Sequence, residues 1–490
     1  MDAALEKRLK RQVIGKPHRF LAVVPLGFEQ TLVEELKSIG IETIADGAEA
    51  PFEPFRIVGD GKVEFTAKIV EAWKAIAYSR IANRVLMHIA EFKAENFREF
   101  EKKASEIPWE LYLQSNTATP GSIAIHVTCK HSRLYHSDAI AERLHKVIGE
   151  ALGNPAPTVI PAPSHPDAGQ DQHSSPERHP DEGQDRLLAP ERHPDVGQDR
   201  HLATQNLYIN FLDDRCTLWL DLAGEELYKR GHERHVNDAP LKETIAVAML
   251  FEVSALAAAP VTVFDLMAGS GTFSLEAAYK VCGLIPGVCR DFALKHQPAF
   301  KEATWRFLTE RQSEATSEAP APIPAYRTVT SDISERAVEI IKHNVECSPL
   351  AQAADAAKAE PAKHISLDPQ QRDFFSYTAE EIASACPTGS QPAIVLNPPY
   401  GKRLDFDAPK LYTQIGRKLA ELSRSLKALG KTLSVAILAP KDDTRNGAKY
   451  TCTANLLREC TMLNPAQNPC AKHIVTSHGG LTLNAFIAKF

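Results

Sequence analysis

Asn397, Pro398, Pro399 and Tyr400 form a tetrapeptide suited to chemistry on a planar amine, and they directly follow the hydrophobic run 393–396. Two successive prolines fix the backbone and lack an N–H, so the carbonyl groups here are available as acceptors. The Asn397 side-chain oxygen and the Pro398 carbonyl could hold one NH2 group while a base stacks on Tyr400. Acceptors that polarise those N–H bonds return electron density to a ring-conjugated nitrogen. The alternative is a proline-rich strand exit without a chemical role.

A glycine-rich turn is the second signal. Asp265 lies near the end of the apolar strand predicted at 261–266, and Gly269 and Gly271 precede a helix predicted at 273–279. Glycines allow a ligand to approach the backbone closely, and a helix N-terminus offers N–H groups without partners. The turn lacks the Lys-Ser/Thr of a Walker loop and the third glycine of the dinucleotide fingerprint. A purely structural turn would also explain it.

Two more carboxylates follow hydrophobic runs. Asp332 comes just after a strand predicted at 327–330, and Asp373 stands beside Phe374. A carboxylate at a strand tip can accept hydrogen bonds from both hydroxyls of a ribose, although Asp332 could instead cap a helix starting near Glu335. Asp373 could accept an adenine amine, or it could simply end a core strand.

The elements that position these residues alternate between helix and strand from Pro240 onward, which is the pattern of an α/β sheet. We predict a helix at 241–256 and strands at 261–266, 327–330, 393–396 and 433–438. Two stretches rich in alanine and proline, 311–325 and 349–363, are predicted to be surface insertions.

The first half reads as a small α+β domain. It contains a strand at 20–24, a helix at 69–88, a strand at 121–129, a helix capped by Ser137, and a hairpin formed by 206–210 and 216–220. Residues 1–19 hold six lysines and arginines against two acidic residues, so this arm could contact phosphates or form a solvated terminal helix.

Residues 155–203 interrupt this pattern with a His-Pro-Asp unit that recurs every 14 residues. The segment has five histidines but almost no apolar face, so a disordered insertion is predicted in preference to a metal site. The chain has nine cysteines and no CxxC pair, which predicts reduced thiols and no metal centre. No signal peptide or membrane span is visible, which predicts a cytoplasmic protein. The net charge of −6 does not indicate a polyanion-binding protein.

The four strand-end motifs together resemble the class I S-adenosylmethionine-dependent methyltransferases, in the branch that methylates amines and carries Asn-Pro-Pro-Tyr. The resemblance implies S-adenosylmethionine as cofactor, with Asp265, Gly269 and Gly271 in the cofactor loop, Asp332 at the ribose and Asp373 at the adenine. It implies that Asn397, Pro398, Pro399 and Tyr400 form the target-amine site. The remaining residues implied at the cofactor are Ala268, Ser270, Thr272, Ile333, Phe374, Lys242 and Thr244.

Residues 20–29, 84–86, 107–110 and 132–137 resemble an RNA-binding THUMP domain with its leader, and residues 227–231, 239–246 and 397–404 extend the likeness. Together they are similar to the bacterial 23S ribosomal RNA guanine-N2 methyltransferase family. The resemblance implies an α/β protein in which an N-terminal α+β THUMP-type domain precedes a Rossmann-like, seven-stranded methyltransferase domain. The implied divisions are a basic arm at 1–19, an RNA-binding region at 20–222 and a methyltransferase domain at 223–490. Some members carry a second methyltransferase domain, and this chain ends before one would fit.

The cofactor loop departs from the family pattern Asp-Pro-Met-Cys-Gly-Ser-Gly-Thr, because Leu266 and Ala268 replace its proline and cysteine. The implied partner is 23S ribosomal RNA or a pre-50S particle, with no membrane and no DNA, and the oligomeric state stays open. Two alternatives remain: a transfer RNA guanine-N2 methyltransferase, and a non-catalytic RNA-binding or ribosome-assembly factor. A DNA amino-methyltransferase is disfavoured by the RNA-module resemblance.

Overall fold

The computed structural model describes residues 2–45, 52–114, 123–153, 205–237, 240–257, 259–315, 325–351, 367–400, 407–442 and 451–490. The insertion predicted at 155–203, most of the stretches 311–325 and 349–363, and residues 401–404 of the family-like segment lie outside these ranges.

The first half of the chain forms one seven-stranded sheet in the order β2-β3-β1-β4-β7-β6-β5. Its pairings are antiparallel except for β5 with β6. The strands are β1 (Pro17–Val23), β2 (Arg56–Gly59), β3 (Lys62–Lys68), β4 (Arg84–Lys93), β5 (Ile123–Lys130), β6 (Gln205–Leu212) and β7 (Arg215–Asp221). The helices are α1 (Ala3–Leu9), α2 (Glu29–Ile39), α3 (Ile69–Tyr78), α4 (Phe97–Ser105) and α5 (Ser137–Leu152). The predicted α+β domain and the hairpin β6–β7 are thus confirmed.

Local sequence explains several of these elements. Along β3, Val63, Phe65 and Ala67 are buried while the residues between them are more exposed, as expected for a strand with one face on the core. Helix α2 ends at Gly40, whose φ of +74° suits a left-handed C-terminal cap. Helix α4 begins after Asn96, whose side chain accepts a hydrogen bond from the Glu99 N–H.

Two local predictions in this half were wrong. The helix predicted at 69–88 ends at Tyr78, and Val85, Leu86 and Met87 lie in β4. These three consecutive residues are all buried because β4 pairs with β1 and β7 inside the sheet, so the run lacks the alternation of a half-buried strand. Ser137 is the first residue of α5, and the N-cap position is taken by His136.

The basic arm is helical and packs on the first domain. Helix α1 continues into a π-helical turn over Lys10–Ile14, and Leu9 and Val13 are buried. Arg8 forms an ion pair with Glu110 at 2.6 Å. The arm therefore covers apolar surface with one face and is not a fully solvated helix.

The second half forms another seven-stranded sheet in the order β10-β9-β8-β11-β12-β14-β13. Six of its strands run in the same direction, and β14 runs opposite to them. The strands are β8 (Val261–Asp265), β9 (Ala325–Asp332), β10 (Gln370–Gln371), β11 (Gln391–Leu396), β12 (Ser434–Pro440), β13 (Lys472–His478) and β14 (Leu481–Lys489). The helices are α6 (Glu243–Ala257), α7 (Thr272–Val281), α8 (Glu302–Ala315), α9 (Glu335–Glu346), α10 (Ala379–Ala385), α11 (Ala408–Ala428) and α12 (Cys452–Glu459). The predicted Rossmann-like, seven-stranded architecture is confirmed.

The order of the parallel strands creates one point where the direction of winding reverses. From β8 the chain steps outward to β9 and β10, then returns to β11 on the other side of β8 and continues to β12. In such sheets ligands bind in the crevice outside the carboxyl ends of the strands at this reversal. The fold therefore predicts a ligand-binding site at the residues that follow β8 and β11.

The two sheets share a continuous core and buried polar contacts. The Trp73 ring packs on Phe300, with centroids 5.6 Å apart, and the Thr31 hydroxyl donates to the Glu252 carboxylate at 2.6 Å. In the described ranges, no helix combines the length and apolar character that crossing a membrane requires.

Candidate active site

The turn between β8 and α7 is shaped by its two glycines. Gly269 and Gly271 have φ values of +56° and +78°, a left-handed region that other residues rarely adopt. A Cβ at Gly271 would lie 3.0 Å from Ile341 Cγ1, whereas one at Gly269 would meet nothing within 4 Å. The Gly271 N–H donates to the Ala268 carbonyl at 2.7 Å, which closes the turn. The backbone thus leaves open space beside Gly269.

Asp332 joins the ends of β8 and β9. Its Oδ2 accepts a hydrogen bond from the Gly269 N–H at 2.8 Å, and its Oδ1 accepts one from the Ser334 N–H at 2.9 Å. Ser334, not Asp332, caps α9. Each carboxylate oxygen has capacity for a further hydrogen bond. The next side chain, Ile333, is 68% exposed, an apolar surface beside the carboxylate.

Asp265 lies beneath the turn and is fully buried. Its Oδ2 accepts hydrogen bonds from the Ser274 hydroxyl at 2.8 Å and the Ser274 N–H at 3.2 Å. Its Oδ1 has no hydrogen-bond partner within the described ranges. Burial raises the pKa of this carboxyl to about 7. Asp265 thus supports the first turn of α7 from inside the protein.

The Asn397 tetrapeptide lies beside the glycine turn because β11 and β8 are neighbours in register. Val395 is paired with Asp265, so Asn397 comes two residues past the end of that pairing. The Asn397 side-chain oxygen is buried, and no described residue donates a hydrogen bond to it. Pro398 is buried, and Pro399 is exposed. Tyr400 is partly buried against the core, and this burial raises its pKa to about 12, so the phenol keeps its proton at neutral pH.

Asp373 and Phe374 follow β10 at the same edge of the sheet. Asp373 Oδ1 accepts a hydrogen bond from the Phe375 N–H at 3.0 Å, and the Phe374 ring is buried in the core of this half. The Arg372 N–H donates to the Asp332 carbonyl at 2.9 Å, which joins this segment to the end of β9. The arrangement brings the Asp373 backbone to the carboxyl edge, while Phe374 faces the interior.

Lys242 and Thr244 lie at the start of α6 and contact other parts of the protein. The buried Thr244 hydroxyl donates to the Asn83 side-chain oxygen at 2.8 Å, which joins α6 to the first domain. The Lys242 ammonium lies 5.1 Å from the centre of the Tyr228 ring. Their predicted role at the cofactor stays a prediction.

The segment before α6 packs on the glycine turn, a contact that the sequence pattern did not indicate. Arg234 donates to the Ser270 hydroxyl at 3.4 Å and also contacts the Thr272 hydroxyl and the Glu243 carboxylate. From α9, the Asn344 amide donates to the Ser270 carbonyl at 3.1 Å. No short-range pattern could have indicated these contacts, because Arg234 and Asn344 are far from the turn in sequence.

Asp265 and Asp332 are the last residues of β8 and β9, and Asp373 comes two residues after β10. The glycine turn and Asn397 flank the point of reversal of this sheet. The open space at Gly269, the remaining acceptor capacity of Asp332 and the exposed Ile333 fit a nucleoside-containing cofactor. The strand order and these strand-end residues define a class I methyltransferase domain.

Two protein-family models match the chain. Residues 230–437 match the RMKL-like methyltransferase domain, and residues 19–86 match the RlmL ferredoxin-like domain. The two segments are similar to these families, and S-adenosylmethionine is the cofactor of class I methyltransferases. The ferredoxin-like segment covers β1 to β3, α2 and α3, and reaches into β4.

Curated relatives include two proteins named ribosomal RNA large subunit methyltransferase K/L. The one from Shewanella amazonensis is 24% identical over 411 residues, which are 82% of this chain and 47% of that protein. The one from Allochromatium vinosum is 27% identical over 418 residues, which are 82% of this chain and 46% of that protein. The chain therefore spans about half the length of these relatives.

Solved structures show the same fold over nearly the whole chain. A predicted N6-adenine-specific DNA methylase from Listeria monocytogenes aligns with a TM-score of 0.63 and 19% identity, over 97% of this chain and 96% of that one. The protein SMU.472, crystallised as a complex with SAH, aligns with a TM-score of 0.62 and 20% identity, over 97% and 98%. At this identity the likeness concerns the fold alone.

Proposed function

We propose that this protein transfers a methyl group from S-adenosylmethionine to the exocyclic N2 amine of a guanine in large-subunit (23S) ribosomal RNA. The observation that carries this proposal is the buried side-chain oxygen of Asn397, to which no described residue donates; Asn397 directly follows β11, the strand next to β8 and its glycine turn. Leaving a buried acceptor without a donor costs about 1–3 kcal/mol. An NH2 group brought in by a substrate would remove this cost.

The residues that would hold the cofactor follow β8, β9 and β10. The cofactor would lie against the backbone of the glycine turn at Gly269. Asp332 would accept hydrogen bonds from the ribose hydroxyls of the cofactor, and Ile333 would cover its adenine with apolar surface. Asp373 would accept a hydrogen bond from the adenine amine. When bound, S-adenosylmethionine supplies a methyl group already activated by a sulfonium.

The residues after β11 would act on the amine. The Asn397 oxygen and the Pro398 carbonyl would each accept one N–H of the guanine N2 group, which orients its lone pair and raises the electron density on nitrogen. Tyr400, which stays protonated, would stack on the base and offset part of the cost of removing it from its own stack. The proton would leave the amine after transfer, so this scheme assigns no side chain as a base.

The first half would deliver the RNA. The RlmL ferredoxin-like segment and the curated relatives named as large-subunit ribosomal RNA methyltransferases support this choice of substrate. In this proposal residues 20–222 form the THUMP-containing RNA-binding region, residues 1–19 approach phosphates, and residues 223–490 carry out transfer. The protein would act in the cytoplasm on free 23S RNA or on a pre-50S particle.

The test is a transfer assay with radiolabelled S-adenosylmethionine on unmodified 23S RNA, pre-50S particles, transfer RNA and duplex DNA. Nucleoside mass spectrometry would then identify the product. We expect N2-methylguanosine from 23S RNA or the particle, and loss of product with Asn397→Ala. Methylation of transfer RNA alone would overturn the choice of substrate. Tight cofactor binding without transfer to any of the four substrates would indicate a non-catalytic factor.

A further inference from the structure

Four side chains that bind transition metals meet between α9 and the segment that precedes α6. His343 Nε2 lies 3.5 Å from Cys347 Sγ and 3.8 Å from Glu233 Oε1. The ligand atoms of these three residues all lie within 4.8 Å of one another. His235 Nε2 is 3.3 Å from the same Glu233 oxygen, and its ring stacks on His343 with centroids 3.8 Å apart.

The backbone explains why two of these residues converge. His343 lies in the last turn of α9, and Cys347 is the C-cap with helical dihedral angles, so the pair has the i, i+4 spacing of one helix face. Asn344 accepts a hydrogen bond from the His235 N–H at 2.8 Å and donates to the His235 carbonyl at 2.9 Å. These two bonds fix the segment that carries Glu233 against the helix.

The separations are close to those of a tetrahedral zinc site. Zinc–nitrogen and zinc–sulfur bonds at a tetrahedral angle place the two ligand atoms about 3.6 Å apart, and a nitrogen–oxygen pair about 3.4 Å apart. The observed separations from His343 are 3.5 Å to sulfur and 3.8 Å to oxygen. The Glu233 side chain is 68% exposed, so a rotation of a flexible carboxylate can close the remaining gap.

We propose that Glu233, His343 and Cys347 bind a zinc-class divalent cation, with His235 or a water as the fourth ligand. A thiolate together with imidazole and carboxylate suits zinc better than magnesium or calcium, which prefer oxygen ligands alone. The two sequence segments are about 110 residues apart, so the bound ion closes a long loop. This site is separate from the amine pocket and does not depend on the proposed methyl transfer.

The ion would also brace the cofactor turn. Arg234, between two of the candidate ligands, contacts Ser270 and Thr272, and Asn344, between the other two, donates to the Ser270 carbonyl. A metal that joins the two segments therefore holds both contacts in place.

Cobalt(II) titration of the reduced full-length protein tests the proposal, because a tetrahedral cobalt–thiolate site absorbs through sulfur-to-metal charge transfer. We expect one cobalt per chain with that absorption, and its displacement by zinc. Cys347→Ser should abolish the absorption, and His343→Ala should weaken cobalt binding at least about 100-fold, since loss of outer groups alone costs 10- to 100-fold.

The matched control is Cys289→Ser, which removes an exposed thiol outside the cluster and should leave the charge-transfer absorption unchanged. The five histidines of residues 155–203 could bind cobalt as well, but a site made of histidines gives no sulfur absorption. Absence of the charge-transfer absorption in the unaltered protein, or its persistence in Cys347→Ser, would overturn the proposal.

Discussion

Two turns flank the reversal point of the second sheet, and they differ in how many of their polar groups find hydrogen-bond partners within the protein. After β8, the Gly269 and Gly271 N–H groups find acceptors in Asp332 and Ala268. After β11, the Asn397 side-chain oxygen is buried, and within the described ranges nothing donates to it. The backbone N–H groups of the first turn are thus bonded within the protein, although Asp265 Oδ1 beneath them has no described partner, whereas the second turn presents a side-chain acceptor that a ligand could satisfy.

This difference supports the proposal that the first turn binds the cofactor and the second turn acts on the substrate, both at one edge of the sheet. A turn bonded to itself holds its shape before any ligand arrives, which limits the entropy lost on binding. A buried acceptor without a donor gains most when a substrate group with matching N–H bonds reaches it. Substitutions in the first turn should therefore change cofactor affinity, and those in the second should change the rate of transfer.

Replacement of Asn397 by alanine should have the largest effect. Removing one preorganised polar group from a transition state typically slows catalysis about 100- to 1,000-fold. We expect a loss of this size in the single-turnover rate, with the dissociation constant of S-adenosylmethionine changed less than about threefold. Both are measurable with radiolabelled cofactor. A parallel loss of cofactor affinity would remove the distinction between the two turns.

Tyr400→Ala should reduce kcat/KM for the RNA by about 5- to 150-fold, because base stacking on an aromatic ring contributes about 1–3 kcal/mol. Tyr400→Phe keeps the ring and should retain most of the activity. Steady-state kinetics at saturating cofactor would compare the two variants. If Tyr400→Phe lowers kcat/KM as much as Tyr400→Ala does, the contribution of Tyr400 comes from its hydroxyl and not from stacking on its ring.

Gly271→Ala should lower the unfolding free energy by about 1–3 kcal/mol, since a side chain at φ of +78° is strained and its Cβ would press on Ile341. Cofactor affinity should fall about tenfold as the turn shifts. Gly430→Ala is the control, because Gly430 has a φ of +72° but no atom within 4 Å of the added Cβ. Urea denaturation and cofactor titration would distinguish backbone strain, common to both variants, from the displacement of Ile341.

Asp265 predicts an effect on the free energy of unfolding that depends on pH. Its folded pKa of about 7 lies above the ordinary value of 3.8, so the protonated carboxyl favours the folded state. This stabilisation is complete below about pH 4 and is lost as the pH rises through 7, with a slope of at most about 1.4 kcal/mol per pH unit. Urea denaturation should show this slope for the unaltered protein from pH 5 to about 7 and a loss of the slope by pH 8, with a flatter profile throughout for Asp265→Asn. Identical profiles would contradict the raised pKa.

Much of the second sheet could be predicted because its signals are local. Strands β8, β11 and β12 are short apolar runs, and the acidic and glycine residues that follow β8 and β9 are adjacent in sequence to the strands they end. The helix predicted at 69–88 failed for the opposite reason. Burial of Val85, Leu86 and Met87 depends on strands β1 and β7, and β7 lies more than 120 residues further along the chain.

The parts of the site that escaped prediction also depend on distant contacts. Arg234 reaches the glycine turn from a segment more than 30 residues earlier in the same half, and Asn83 reaches Thr244 on α6 because the two halves pack together. His343 and Cys347 have a local i, i+4 spacing, but Glu233 comes from a distant loop, so no sequence motif could reveal the whole cluster.

The buried carboxylate of Glu276 has a consequence for how a long substrate is handled. It lies on the helix that starts at the glycine turn, and it is held by Arg80 of the first domain at 3.3 Å and by Arg230 at 2.9 Å. Moving the domains apart would break the buried Arg80–Glu276 ion pair and leave Arg230, which belongs to the second half, as the partner of this carboxylate. This buried ion pair therefore holds the two domains at a fixed separation. An RNA bound to the first sheet would have to change its own conformation to reach the second sheet. Only a nucleotide at a suitable distance from the bound segment of the RNA would reach it.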